Sequence, residues 1–239
     1  MNLKSVFLAF KQFMRNIWED YMLVACLFAP ILMGLIFKLL IPILESYLCS
    51  ALNQSSVLSL YYSLFDLLLS LMTPLMLCFS GVMVVLEELD NGTAKYLMVT
   101  PLGKWGYLLS RIGILTLLST VYNFLLVSFC KLSEITVPIL LAAVITSAII
   151  SIQIAMFVIA FAKNKVEGMA LLKFSGFLIL GFFAAYFIKD MTGYLAGILP
   201  TFWTGKMVID NNLLFLLPSI FVSLIWIYLL YQKFRNKLI

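Results

Sequence analysis

Residues 87–111, EELDNGTAKYLMVTPLGKWGYLLSR, are a charged and turn-rich island in a chain that is otherwise solvent for a bilayer. On its N-terminal side lies the apolar run 57–86, and on its C-terminal side another run begins at about residue 107. Each is long enough to cross the roughly 30 Å hydrocarbon layer, which takes about 20 residues of helix. A polar stretch between two such runs has to face water, so the island is read as a loop joining two spans. The rest of the composition agrees. The 239 residues are 64% hydrophobic and only 11% charged, with a mean hydropathy of +1.09, whereas a soluble domain carries about a quarter charged residues. Apolar stretches of helical length also argue against a membrane β-barrel, whose strands alternate over about 10 residues. The fold class is therefore an all-α polytopic membrane protein.

Working outward, six spans are expected at about 22–44, 57–86, 107–129, 136–162, 174–188 and 213–231, in a single transmembrane domain over residues 1–239. Before the first span, Val6, Phe7, Phe10, Phe13, Met14 and Trp18 recur at helical spacing against Lys4, Lys11, Arg15 and Glu19, the pattern of a helix lying in the membrane interface over residues 1–20. The same three basic residues break the apolar stretch a signal peptide needs, so this segment is expected to be retained. Orientation follows from the basic residues. Lys4, Lys11 and Arg15, then Lys95, Lys104 and Arg111, then Lys163, Lys165 and Lys173, then Lys233, Arg235 and Lys237 make 12 of the 16 Lys and Arg, and they fall on one side of the six-span arrangement. The positive-inside rule places that side, with both termini and the island, in the cytoplasm. The net charge of +5 thus sits at span ends, and no nucleic acid partner is expected.

The stretch 194–209, YLAGILPTFWTGKMVI, is apolar but interrupted by Gly197, Pro200 and Gly205. If it crossed, the basic tail would emerge on the wrong side. It is expected to dip in and return within an external re-entrant segment spanning 190–212, surrounded by other helices because lipid cannot satisfy irregular backbone. Trp203 then belongs near an interface or a cavity mouth.

The island itself reads as a docking knob. Asn91 and Gly92 supply a turn, Thr93 is placed to cap a short helix, and Thr100 with Pro101 stops it before Gly103. Tyr96, Leu97, Met98 and Val99 are too apolar for an idle loop and, flanked by Glu87, Glu88, Asp90 and Lys104, resemble an interface patch. The alternative is a solvated loop kept wet by its carboxylates. Glu167, in the NKVEG loop, is a weaker contact candidate.

Two charges fall inside spans, Lys38 and Asp66. Both are expected in the outer leaflet, where pairing would offset an insertion cost of about 2.5–3.5 kcal/mol each. Either they mark a pathway or gate together with Pro200 and Trp203, or they form a structural pair, or Lys38 snorkels. Ser80, Ser119, Asn123, Ser147, Ser151 and Gln153 read as helix-to-helix glue. Pro30, Pro42, Pro74 and Pro218 are kink candidates. The 20 Phe and 12 Met either form an adaptable binding surface or simply pack. With no histidine, and with Cys26, Cys49, Cys78 and Cys130 lacking CxxC spacing, no metal site is expected. Cys49 and Cys130 either pair or stay free. Catalytic sets are also missing: there is no GxSxG elbow, and Glu87, Glu88 and Asp90 lack the spacing of a lipid transferase metal motif. Without GxxxxGK[ST], a pump would have to borrow ATP energy from elsewhere.

The order of elements in the island, an acidic start at Glu87, Glu88 and Asp90, a turn at Gly92 and Thr93, an apolar helix at Tyr96 and Leu97, and a turn at Thr100, Pro101 and Leu102, resembles the loop between spans two and three of ABC-2 type transporter permeases. The resemblance extends over the whole chain, and the opening RNIWEDYMLVACLFAPILMGLIFKLLIPIL is similar to small bacterial drug-export permeases of the fluoroquinolone-exporter kind. It implies a type V exporter fold. It also implies partnership with separate ATP-binding cassette subunits that carry ATP and Mg, a second permease, and a coupling role for the loop 87–106 up to Lys104. The implied setting is a bacterial plasma membrane, and the implied function is outward movement of a hydrophobic or amphipathic drug, toxin or antimicrobial peptide, with no catalysis on this chain. The alternative is the membrane component of a ligand-sensing or resistance complex coupled to an ATPase without bulk export.

Overall fold

The computed structural model describes residues 3–100 and 102–237, all of them helix, turn or connecting segment. The helices are α1 (Leu3–Glu19), α2 (Tyr21–Leu52), α3 (Tyr62–Asp90), α4 (Thr93–Val99), α5 (Gly103–Leu108), α6 (Ile114–Cys130), α7 (Val137–Phe161), α8 (Lys165–Lys173), α9 (Ile179–Phe187), α10 (Pro200–Ile209) and α11 (Leu216–Lys237). A π turn over Leu109–Gly113 joins α5 to α6, and 3-10 segments at Phe174–Leu178 and Met191–Ile198 flank α9. Six stretches are long and apolar enough to cross a membrane: Tyr21–Leu52, Ser59–Asp90, Trp105–Cys130, Val137–Phe161, Lys165–Phe187 and Leu213–Arg235.

The second and fourth of these form the centre. Of their apolar windows 72% is buried inside the protein, against 17% for the first and last. α3 and α7 pack on one another, with α2 and α6 against α3 and α11 against α7. Their contact is lined by small and polar side chains that let backbones approach. Ser70 Oγ lies 3.2 Å from Ser147 Oγ, Asn123 Nδ2 donates to the Ser70 carbonyl at 2.8 Å, and Cys78 Sγ reaches the Ser151 carbonyl at 3.2 Å. Around this polar seam pack Leu67, Leu71, Met83, Ile150, Ala155 and Val158.

α2 is longer than expected, running through Pro30 and Pro42 to Leu52. At 1.5 Å per residue it measures roughly 48 Å, well beyond the hydrocarbon thickness, so its last turns leave the bilayer. There Glu45 accepts from the backbone N–H groups of Val57, Leu58 and Ser59 at 3.0, 2.5 and 3.3 Å, folding the following loop back onto the start of α3. α1 also departs from the simple interfacial reading. Its apolar residues divide between two faces: Val6, Ala9, Phe13 and Ile17 are buried against the bundle, while Phe7, Leu8 and Trp18 point outward.

The broken segment before the last span is a compact hairpin of the 3-10 stretch Met191–Ile198 and α10, packed on α9. A Cβ on Gly181 would overlap Thr201 Oγ1, and one on Gly205 would press on Ala185, so α9 and α10 touch at their backbones and run in the same direction. The 3-10 stretch Met191–Ile198, lying against both, brings the chain back so that α10 starts level with α9. With ten residues, α10 is about 15 Å long and too short to cross. Its own face is buried through Pro200, Thr201, Phe202, Thr204, Gly205, Met207 and Val208, while Met191 and Leu195 of the 3-10 stretch before it are exposed. All four cysteines are free, Cys49 and Cys130 included.

Candidate functional site

The island folds as an elbow at one end of the bundle. α3 carries its first residues to Asp90, and Gly92 then takes φ 72°, a left-handed conformation that glycine adopts without steric cost. Thr93 does not cap α4, because Gly92 holds that position. Its hydroxyl instead donates back to the Glu88 carbonyl at 3.1 Å, tying α4 to the last turn of α3. Thr100 performs the stop expected of it, with its Oγ1 on the Leu97 carbonyl at 2.6 Å and the Leu102 N–H on Thr100 Oγ1 at 3.4 Å. Pro101 and the side chain of Lys104 lie outside the described residues. Inside the elbow, Ala94, Leu102 and Tyr107 form a small core with Val6 and Ala9 of α1, against which Leu97 and Met98 pack. Tyr96 and Val99 face away from it, 74% and 84% exposed. The apolar patch is thus divided: Leu97 and Met98 hold the elbow, while Tyr96 and Val99 are what it presents.

Glu88 is not part of the presented surface. It is buried, its side chain only 9% exposed, and clasped by Arg111, whose Nη2 and Nε donate to the two carboxylate oxygens at 2.6 and 3.0 Å. The Tyr107 hydroxyl adds a third bond at 2.8 Å, and Arg111 Nη1 continues to the Ala9 carbonyl at 2.5 Å. The guanidinium also lies 5.1 Å from the Phe13 ring centre. A fully desolvated pair persists only when its remaining donors are satisfied, and these contacts do that. The π turn contributes the register: Arg111 sits within it, about one turn after Tyr107 and on the same surface. One side chain therefore locks α1, α3 and α6 together.

Glu87 and Asp90 are also engaged, though at the surface. Lys165, at the start of α8, donates to Glu87 at 2.8 Å through Nζ and to Asp90 at 2.9 Å through its backbone N–H, and its Nζ lies 3.6 Å from Asp20. Asp20 in turn caps α2 through the Met22 and Leu23 N–H groups. Glu167 turns inward on its own loop, accepting from the Lys163 N–H at 2.8 Å. Between α1, the end of α3 and α4 there remains a groove of ≈ 530 Å³, walled by Gln12, Glu19, Asp20, Glu87, Tyr96 and Lys165. An elbow that exposes Tyr96 and Val99 on α4 and Trp105 on α5, beside an acidic groove, has an apolar patch within a polar rim, as protein-docking sites do.

At the opposite end of the bundle the two intramembrane charges do not meet. Asp66 is buried and accepts from the Leu132 and Ser133 N–H groups at 2.9 Å each and from the Ser133 hydroxyl. Lys38 Nζ donates to the Phe129 carbonyl at 2.7 Å and sits 3.9 Å from the centre of that ring. Each charge holds the connection between α6 and α7 from a different helix, so backbone groups supply the compensation that pairing was expected to provide. Pro200 starts α10, and its carbonyl accepts from Thr204 and Ser219. Trp203 donates its indole N–H to the Gly197 carbonyl at 2.8 Å and stacks on Phe215, bracing the hairpin.

This architecture has counterparts in sequence. Residues 13–231 match the family model described as fluoroquinolones export permease protein Rv2686c-like. The chain belongs to that family. It is 25% identical over 234 residues to fluoroquinolones export permease protein Rv2686c of Mycobacterium tuberculosis strain ATCC 25618 / H37Rv, covering 93% of this chain and 91% of that one. Fluoroquinolones export permease protein MT2760 of strain CDC 1551 / Oshkosh shows the same identity and coverage. No solved structure matches significantly. Membership in a permease family fits both the six spans and the resemblance to ABC-2 type permeases.

Sequence reasoning missed Arg111, Tyr107, Asp20 and Lys165 as organisers of this end. The signal for the first was present: an arginine four residues after a tyrosine at the entry to an apolar run has to find an acceptor, and the carboxylates of 87–90 are the nearest in sequence. Among the described residues no group of three His, Cys, Asp or Glu side chains gathers to hold a metal ion.

Proposed function

We propose that this chain is the membrane permease of an ATP-driven exporter that moves fluoroquinolone-like or other amphipathic compounds outward, with ATP hydrolysed on a separate subunit that docks at the elbow. The carrying observation is the family match over residues 13–231; the exposed Tyr96 and Val99 beside the acidic groove support the docking assignment. Orientation is part of the proposal. α1, the elbow, the start of α8 and the end of α11 converge, through Arg111 on Ala9, Lys165 on Asp20 and Glu87, and Trp105 stacked 6.0 Å from Tyr231. The segments carrying most of the basic residues therefore share one end, which the positive-inside rule makes cytoplasmic. A second permease completes the pathway, since α2 and α11 leave most of their apolar surface uncovered.

The test is co-purification of the tagged chain with its ATPase. Interface energy concentrates in a few exposed anchors, each worth about 2 kcal/mol or more, so Tyr96→Ala with Val99→Ala should weaken capture at least tenfold and abolish drug export while the permease remains folded in the membrane. Undiminished capture and export by this variant would refute docking at the elbow. Export by the purified chain without any ATPase would refute the energy source.

A further inference from the structure

α7, the 3-10 segment Phe174–Leu178 and α11 line a side-opening cavity of ≈ 290 Å³. Its walls are aromatic. Phe157 comes from α7, Phe174 and Phe177 from the 3-10 segment, and Trp226 from α11. The two phenylalanines of the segment stack with ring centres 5.8 Å apart and planes inclined by 15°. Trp226 is fixed by its indole N–H on the Ile198 carbonyl at 3.1 Å, so one flat surface is held in place before anything enters, while Phe174 and Phe177 present exposed rings. One residue in this wall is out of character. Gln153 is 8% exposed, and its Oε1 has no hydrogen-bond partner. A buried amide oxygen without a donor is costly and is rarely retained without a reason. Ser147 and Ser151 use the α3 seam or their own helix; Asn123, on α6, also has an unpartnered Oδ1, but its Nδ2 is bound to Ser70 and it does not line the cavity. Gln153 is the unpartnered amide that does.

From this we infer that the cavity is a binding site for planar aromatic amphipaths, which stack on Phe174, Phe177 and Trp226 and donate a hydrogen bond to Gln153 when its covered Oε1 turns into the cavity. An acyl chain would fill the apolar space and leave the amide unanswered, whereas an aromatic ring bearing an N–H or O–H answers both. The site lies roughly 12 Å along α7 from its terminus at Phe161, by the 1.5 Å rise per residue. On the orientation argued above this is the depth of the inner leaflet. The inference rests on the exporter reading for its meaning as a cargo site, but its binding geometry stands apart from that reading.

The test uses the full chain in phosphatidylcholine nanodiscs, titrated with 2-aminoanthracene and with anthracene, which share three rings and differ in the donor. Fluorescence of protein-free discs is subtracted. Saturable binding of both is expected, tighter for the amine. Gln153→Leu should raise the Kd of the amine roughly tenfold, the scale of one buried hydrogen bond, and leave anthracene within about twofold. Phe174→Ala with Phe177→Ala should weaken both, and Phe28→Ala, on the uncovered face of α2, neither. Equal effects of Gln153→Leu on the two probes, or binding indifferent to the paired phenylalanine change, would overturn the site. Accumulation of 2-aminoanthracene in cells separates the two claims: export by the parent with unaltered Kd across the variants sinks the cavity alone, and absence of export with the predicted Kd pattern sinks the exporter reading alone.

Discussion

Arg111 shows how much one side chain can organise when it has no water to turn to. Its guanidinium has zero exposure and answers Glu88, Ala9 and the faces of Phe13 and Tyr107. Removing one member of such a pair leaves a buried charge, and the cost is about 3–5 kcal/mol. Glu88→Ala should therefore lower the unfolding temperature sharply in detergent, while Glu88→Leu combined with Arg111→Met should recover most of the loss. A double variant as unstable as the sum of its parts would show that the clasp is not a unit. At the opposite end the expectation is reversed. Asp66→Asn removes an acceptor from the Leu132 and Ser133 amides, and because Lys38 serves the Phe129 carbonyl instead, adding Lys38→Met should not rescue it. Hydrogen exchange at those two amides reads the outcome, and restored protection in the double variant would reinstate a direct pair.

The elements were legible to different degrees. The spans announce themselves because bilayer thickness and backbone satisfaction leave a helix as the one open-chain solution. The turn chemistry of the island was equally plain at Gly92 and Thr100. What the residues of the island did with their side chains was not, since Glu88 and Tyr96 are both close to the same turns and only tertiary packing decides that one is buried and the other presented. α1 carried a similar ambiguity: an amphipathic pattern reports that two environments exist, not that its apolar arc is shared between protein and lipid. The segment 190–212 was expected to be enclosed; α10 is buried along a tight seam with α9, whereas Met191 and Leu195 of the 3-10 stretch are exposed. Gly181→Val would drive a side chain into Thr201 and Phe202; backbone displacement of this kind costs about 1–3 kcal/mol and should loosen the hairpin to protease. Gly176→Ala, where a Cβ meets open space, should leave digestion unchanged. Equal digestion of the two variants would argue against a tight seam.

For the molecule as a whole, the centre is assigned to α3 and α7 and the periphery to α2, α6 and α11. Hydropathy alone could not rank them, because a lipid-facing helix and a core helix are equally apolar; of the polar residues read as glue, Ser80, Ser147, Ser151 and Gln153 do lie on the buried pair, but Ser119 and Asn123 lie on α6, so that pattern did not rank the helices either. The same global view gathers most of the basic residues at one end, which is the basis of the proposed orientation. A reporter fused after Ile239 should be active in the cytoplasm and silent outside, and activity confined to the outer face would invert the arrangement proposed here.

The Arg111 clasp also imposes an order on synthesis. Its acceptors lie 23 and 102 residues earlier in the chain, at Glu88 and Ala9. At about 5–20 residues per second, Glu88 leaves the ribosome seconds before its counterion exists, and the N-terminal helix waits for most of the first half of translation before its anchor is made. A nascent chain arrested shortly after residue 90 should hold α1 loose and its Phe13 open to labelling reagents; one arrested well past residue 130 should shield it. Assembly of this permease is thus timed by an arginine, and early chaperone or insertase contacts fall on a helix that in the finished protein is already taken.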